Sequence, residues 1–555
     1  MIRGGVPGWE GDNLYFVHSV WWWKHALFDL HVSPFLDPDS FVPVGKNVLR
    51  GELTVANTIP ALPITWLFGA PVAYDVMLLF SFVATSLFTY LWVTELTGRR
   101  AAGLVAGTIA GFLPLRFAHL AGHLPEMSTQ WIALTLYAFE RFLERRSVAR
   151  GLFLGAAVTL TVLGCWYYGY ALALMFPIYA LMRSRGRGVW RTREWWTGLA
   201  AAAAVALVLL APFVRAMVAL REQDTLRRTL GAMDAWSLNP YDLFIPNLMH
   251  PLYGAAASRW FPAQQGLWVE RGVTLGLVAA ALALAGVLAS HRRPIVAALG
   301  ATWVAASLVA LGPTLHWRDH QVRVHLGSHV AALAQKGLSG TGGDTAAVRA
   351  SLARDGVPIP LPALVMYKFV PLTSSMRVMA RFALWTGFMT AALAGLGLVT
   401  LQSRLRLPVA AVTLTAIALV SFESLTKIPV MTLEPRPVDA WLAAQPPSTV
   451  IVELPVDQAE RALQDYWMMQ NGKPNLFGWV ADSFFPPIQI EREQALAAFP
   501  DAASIDYLRR SPATLLLVTP SAIPGWAAMQ PVLDRAPGLA FRQQIGGVRV
   551  YRIEH

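Results

Sequence analysis

Four stretches of this chain hold the residue types that can do chemistry. In GWEGDNLYF, Glu10 and Asp12 stand one residue apart beside Gly8 and Gly11. Carboxylates on so small a backbone can approach a divalent cation or a hydroxyl closely. Hard cations prefer oxygen ligands of this kind and often bridge them to phosphate. A solvated acidic loop has the same composition. The second stretch, RFAHLAGHLPE, gathers Arg116, His119, His123 and Glu126. Its histidines are spaced i, i+4, on one face if the turn is helical. Imidazole ligates metal or moves protons, a carboxylate acts as base or ligand, and a guanidinium holds phosphate. An interfacial turn solvated by lipid headgroups is the competing reading.

The third stretch runs from NPYDLFIPNLMHPLYG, with Asp242 and His250, to WVERG, with Glu270 and Arg271. Glu270 can face the same cavity as Asp12. Capping the helix that follows is the preferred reading, because acids favour helix N-termini. In the fourth, SSMRVMARFALW, Arg377 and Arg381 lie at one end of an apolar run. They suit a phosphate or pyrophosphate; anchoring to headgroups is the alternative. The chain has no GxGxxG, P-loop, CxxC or HExxH pattern, so dinucleotide, nucleotide and zincin chemistries lack support.

These residues must be positioned by a membrane scaffold. Hydrophobic residues make up 55% and charged residues 14% of 555, against about 25% charged in ordinary soluble domains. The spacing predicts about ten spanning helices: 77–96, 101–117, 127–143, 151–166, 167–182, 197–217, 273–290, 295–311, 382–401 and 409–422. The fourth and fifth are split at 165–169, where Gly164 and Gly169 flank Trp166, Tyr167 and Tyr168; one long bent helix is the alternative. Every second loop is rich in arginine: Arg99 and Arg100, then Arg141, Arg145, Arg146 and Arg150, then Arg183, Arg185, Arg187, Arg191 and Arg193. Cytoplasmic loops collect such charge, so these are expected inside. A net charge of +11 therefore reads as topology rather than nucleic-acid binding.

Three large segments are then expected outside: a first loop at 1–76, and the segments 218–272 and 312–381. Residues 77–422 form the membrane domain, and 423–555 a tethered extracytoplasmic domain. Trp21, Trp22 and Trp23 suit an interfacial helix in the first loop. In the tail, STVIVELPV, ATLLLVTP and VRVYRI read as strands, with VDAWLAAQ and IEREQALAAF as helices, a small α/β domain. The single cysteine, Cys165, excludes an internal disulfide and reads as a packed thiol.

The arrangement resembles the GT-C glycosyltransferase superfamily. GDNLYFVHSVWWWKHAL, RFAHLAGHLPEMSTQW, WYYGYALAL, NPYDLFIPNLMHPLYG and MRVMARFALWTG look most like the YfhO-like and related bacterial GT-C membrane proteins. The resemblance covers most of the membrane region; the tail matches only in general character. It implies an enzyme in the inner (plasma) membrane that moves a sugar from a polyprenyl-phosphate carrier to an acceptor outside the cytoplasm. On that resemblance Asp12 is the candidate base, Glu126 a further acid, His119 and His123 its companions, and Arg377 and Arg381 suit the carrier phosphate. Glu10, Arg116 and Glu270 join them as candidate substrate-binding residues. Many members carry adjacent acids where this chain has Glu10, Gly11 and Asp12, so a divalent cation is an open expectation. The resemblance also implies a span ahead of the first-loop acid, making eleven. The competing functions are a non-catalytic scaffold for envelope-polymer assembly and a transporter. Against the transporter, no paired inverted halves are visible, and the ionisable residues collect toward one face.

Overall fold

A computed structural model describes residues 5–223, 227–260, 267–290, 293–325, 346–405, 407–455, 458–480 and 484–555. Of the expected outer segments, the first four residues, 224–226, 261–266 and 326–345 lie outside the described residues.

Each expected span is met by a helix. In chain order the long elements are α1 (Asp12–Lys24), α2 (Val55–Phe68), α3 (Ala70–Thr97), α4 (Arg100–Gly111), α5 (Pro114–Leu120), α6 (Gln130–Glu144), α7 (Val148–Gly164), α8 (Trp166–Ser184), α9 (Arg193–Gln223), α10 (Leu277–Ser290), α11 (Pro294–Ala310), α12 (Ala383–Leu405) and α13 (Val409–Glu423). Three segments, Ala70–Thr97, Arg193–Leu220 and Met379–Arg404, are long and apolar enough to cross a membrane, and α4 with α5 makes a fourth if that pair, bent by 40°, is one span. The other apolar helices are shorter than a full span, including α2, α7, α10, α11 and α13. The bend falls where Pro114 follows Gly111, since a proline restricts the residue before it and cannot continue the hydrogen-bond ladder. The break between α7 and α8 is a single extended residue, Cys165.

Contacts divide the chain into two units: Met1–Leu78 with Ala121–Pro125 and Pro429–His555, and Leu79–Leu120 with Glu126–Ile428. The second unit is the helical one. Its helices pack through small residues, as membrane helices do where backbones must approach closely. A Cβ on Gly397 of α12 would meet the Leu282 carbonyl oxygen of α10 at 1.8 Å, and one on Gly151 of α7 would meet the Gly198 oxygen of α9 at 2.1 Å. Not every arginine of the Arg-rich loops is a solvated topological charge. Arg183 is buried, and its Nε donates to Glu140 of α6 at 2.9 Å, where Tyr179 also donates at 2.6 Å.

The first unit holds α1, α2 and the tail. The tryptophan-bearing helix forms, but Trp22 and Trp23 turn into the unit rather than out of it. Trp22 Nε1 donates to the Pro34 carbonyl at 2.9 Å, and Trp23 meets Phe35 edge to face. Most of α1 is buried, and Asp12, Trp21 and Lys24 are its half-buried residues. In α2, missed by the sequence reading, Trp66, Leu67 and Phe68 are exposed. The tail sheet has four strands: β1 (Ile451–Leu454), β2 (Leu515–Val518), β3 (Leu539–Ile545) and β4 (Val548–Ile553), in the order β3-β4-β2-β1. β1 and β2 are parallel, and the other pairs antiparallel. β3 was not expected, although Gly546–Gly547 between two strands is a hairpin signal, and both glycines take positive φ.

A buried charge chain ties the first loop to the tail. Lys46 Nζ lies 2.9 Å from Asp465 and 3.3 Å from Asp37, and Ser40 donates to Asp37 at 2.7 Å. Burial opposes the lysine's charge, but Asp465 and Asp37 outweigh it and raise its pKa. Burial also works to raise Asp37, yet Lys46, His18 and Ser40 together hold it below the usual carboxylate range. At Asp465 burial wins, and its pKa is pushed up to about 6 against the pull of Lys46.

Unfolded, Asp465 titrates near pH ~3.9. Between there and about pH 6 the folded state holds the extra proton, so this group's contribution to stability declines as pH rises through the window and is level above it. We expect the unfolding free energy of the wild type, relative to Asp465→Asn, to fall by up to about 3 kcal/mol across that window. Denaturant unfolding at stepped pH measures this. An unchanged difference would mean that Asp465 is ionised in the fold throughout.

Candidate functional site

The candidate residues fall into two clusters, one in each unit. In the first unit Asp12 opens α1, where an acid also suits the helix N-terminus. Its Oδ1 accepts from Trp479 Nε1 at 2.7 Å, and its Oδ2 lies 3.3 Å from His123 Nε2. Both ionisable side chains are partly exposed, Asp12 at 25% and His123 at 17%, so the pair is reachable from solvent. Gly8 lets this happen. It sits at φ +102°, and a Cβ there would meet the Ala121 oxygen at 1.9 Å, so only glycine lets the segment before Asp12 lie against the turn that carries His123. Val6–Pro7 pairs with Val430–Met431, and Asn13 Nδ2 donates to the Pro7 oxygen at 2.9 Å, which fixes the entry to α1. Trp479 is itself held by its backbone N–H, which donates to Asp465 at 3.4 Å. Glu10 is exposed and makes no ion pair among the described residues.

In the second unit Arg381 joins Glu126 and Glu270. Its NH1 bonds Glu126 Oε1, while Nε and NH2 donate to Glu270 at 3.0 and 2.6 Å. The guanidinium also lies over the Tyr167 ring, 4.4 Å from its centroid. All three charged side chains are at most 5% exposed. His119 Nε2 lies 3.5 Å from Glu270 Oε2, and Cys165 Sγ 3.8 Å from Glu126 Oε1. Tyr168 donates to the Glu126 backbone oxygen at 2.6 Å. Cys165 is thus packed beside a buried acid, with its position set by the α7–α8 break.

Glu270 does not cap the helix that follows. α10 starts at Leu277, later than the sequence suggested, and the carboxylate of Glu423 accepts from the first N–H groups, Leu277 and Val278, at 3.0 Å each. Glu270 is too far upstream for that, and Arg381 takes it instead. Arg116 is buried, with its guanidinium bonded to the Gly111 carbonyl and, at 2.6 Å, to Ser81 Oγ. It braces the α4–α5 bend by satisfying a carbonyl that the break frees. Arg377 is half-buried, with its guanidinium 5.0 Å from the Trp236 ring centroid and its backbone N–H donating to Tyr167 at 3.0 Å. Asp242 forms a capping box with Asn239 and pairs with Arg271 at 2.8 Å; burial raises its pKa above the usual range despite that arginine. His250 Nε2 lies 2.9 Å from the Phe422 carbonyl and stacks on Tyr253.

His119 and Glu270 are donors of the kind that hold divalent cations. Both oxygens of Glu270, however, already accept from Arg381, and a bound cation would face that guanidinium directly. The set in this unit fits an ion-pair clamp better than a metal cage.

Replacing Arg381 with Met strands two buried carboxylates, which costs on the order of 3–5 kcal/mol. Adding Glu270→Gln to that variant should restore part of the loss. Thermal unfolding in detergent reads both, and a single variant as stable as the wild type would show that the clamp does not form.

No protein-family model and no curated protein matches the chain. Solved structures do. The mycobacterial arabinofuranosyltransferase AftD superposes over 100% of this chain and 38% of its own, at 14% identity and a TM-score of 0.54. The chain therefore spans well under half of that enzyme. ArnT from Cupriavidus metallidurans matches over 99% of this chain and 95% of its own, at 12% identity and a TM-score of 0.46. The oligosaccharyltransferase AglB from Archaeoglobus fulgidus, in complex with an inhibitory peptide and a dolichol-phosphate, matches over 99% and 70%, at 11% identity and 0.45. With its whole length superposed on the first of these, this chain has the fold of the GT-C glycosyltransferases.

Proposed function

We propose that this protein is a membrane glycosyltransferase that moves a sugar from a polyprenyl-phosphate carrier to an acceptor outside the cytoplasm, with Asp12 as the base. The observation that carries the proposal is the setting of Asp12: a partly exposed carboxylate held from one side by an indole N–H and facing an imidazole on the other. A general base must be fixed in position yet reachable by the proton it takes. Trp479 holds one oxygen of Asp12, and His123 lies beside the other.

The reaction follows from that arrangement. Asp12 removes the proton of the acceptor hydroxyl, and the acceptor oxygen attacks the anomeric carbon. The bond from that carbon to the phosphate oxygen breaks, and the polyprenyl phosphate leaves with the electron pair. His123 can accept the proton from Asp12 and pass it to water. A cation near the departing phosphate stabilises its charge. Of the two arginines that the sequence offers for that role, Arg377 and Arg381, the second has its donors engaged by Glu126 and Glu270. The clamp itself fixes the loops that carry Glu126 and Glu270.

Asp12→Asn should lower the rate of sugar transfer from a polyprenyl-phosphate donor by about 10²–10⁴-fold, the usual worth of a positioned base, with an unchanged unfolding midpoint. Trp479→Phe should lower it less, by about tenfold, a modest misplacement of the base. Full transfer by Asp12→Asn would remove Asp12 as the base; no transfer by the wild type, with envelope-polymer assembly unchanged in Asp12→Asn, would leave the protein as a scaffold on this fold.

A further inference from the structure

Within the helical unit a cleft of ≈1060 Å³ opens between the Pro240–Leu243 turn, the Ser258–Trp260 turn and a small hairpin. Tyr241, Trp260 and Trp317 line it together with Arg259, Arg318 and Asp319. Trp260 is 61% and Trp317 56% exposed, and Tyr241 stands edge to face with Trp317 at 5.2 Å and 86°. Large exposed rings on a protein surface mark places that bind something. Tyr241 and Trp317 stand at right angles to each other, which suits a ligand with flat apolar faces in more than one plane.

The charges point to what that ligand carries. Asp319 is neutralised: its carboxylate accepts from Arg271 at 2.6 Å and from Asn239 Nδ2 at 2.8 Å. Arg259 and Arg318 have no carboxylate partner among the described residues. The cleft therefore offers two open guanidinium forks, which match carboxylate or phosphate oxygens in pairs.

The backbone holds these groups ready. His316–Trp317 and His320–Gln321 pair as a hairpin whose two turn residues, Arg318 and Asp319, both take positive φ, +50° and +64°. Such turns normally use asparagine and glycine, and other residues are strained in them. Asp319 is kept there by Arg271 and Asn239, and its backbone N–H donates to Asn239 at 3.2 Å. That anchoring sets the directions of Trp317 and Arg318 before any ligand arrives.

The geometry points to a binding cleft for an anionic oligosaccharide, a sugar chain that bears carboxylate or phosphate groups. The aromatic walls cover the C–H faces of its rings, and Arg259 and Arg318 pair with its anions. The volume holds several sugar rings, and the perpendicular walls fit a chain better than a planar array of lipid headgroups. That this chain is the acceptor rests on the transferase reading; that it binds does not. Arg271, the anchor of the hairpin, directly follows Glu270 of the clamp in sequence.

Calorimetry on the full-length protein in phosphatidylcholine nanodiscs tests this. The probes are a galacturonic acid hexamer, a phosphorylated mannan pentamer, neutral maltohexaose, and phosphatidylglycerol vesicles as competitor. One of the two anionic chains should bind at least tenfold more tightly than maltohexaose, and Arg318→Gln, Arg259→Gln and Trp317→Ala should each weaken it at least tenfold. These side chains are exposed, so the variants should keep the wild-type unfolding midpoint. Equal binding of maltohexaose, no binding of either anionic chain, binding that these variants leave unchanged, or displacement by phosphatidylglycerol would each overturn the assignment. Such a failure, with sugar transfer still dependent on Asp12, would remove the cleft and leave the transferase reading standing.

Discussion

The helical unit turns on one buried cation. Arg381 enters at the start of α12, among the most completely buried helices of the protein, and spends its donors on Glu126 and Glu270. Two carboxylates and a guanidinium cannot be taken out of water separately. Each alone would cost several kcal/mol, on the order of the whole stability of a domain. Together they fix three connections that would otherwise be independent: the turn after α5, the segment before α10 and the entry to α12. His119 and Cys165 then pack around a framework already in place. The same logic operates in the first unit, where Lys46 holds Asp37 and Asp465 together, and Asp465 in turn positions the tryptophan that bonds Asp12.

These two clusters have opposite characters. The clamp is deeply buried, and Arg381 bonds both of its carboxylates, which suits a scaffold role. The Asp12 pair is partly exposed, with one oxygen held by Trp479 and the other beside His123, which suits chemistry. A buried ion pair is weak evidence for stability in itself, since an apolar packing of equal volume often does as well. What it supplies is a single defined arrangement of loops, and active sites need definition more than they need added stability.

Much of this was legible in the chain. Hydropathy located all ten expected helices, because lipid and helix packing both reward long apolar runs. Three tail strands and the break at Cys165 followed from period and glycine placement. Of the candidate residues, Glu126, Glu270, Arg381 and His119 meet in one unit, and Asp12 and His123 in the other. What was not legible is non-local or masked by composition. α2 was hidden because Pro60 and Pro63 interrupt its apolar run, though the helix absorbs both. Glu270 looked like a cap until the later start of α10 gave that role to Glu423. Trp479, Lys46 and Asp465 had no local signal at all: the lysine and its aspartate are 419 residues apart. Arg116 carried the type and position of a phosphate ligand, but its guanidinium serves a helix bend, which residue type alone cannot distinguish.

A single positioned base implies a single displacement at the anomeric carbon, and stereochemistry reports on that without reference to any variant. The direct measurement is the anomeric configuration of the product, read by NMR after transfer from a polyprenyl-phosphate-linked sugar of known configuration. The account predicts inversion. Retention would require a covalent or front-side mechanism that one carboxylate beside an imidazole does not provide, and would contradict the assignment of Asp12.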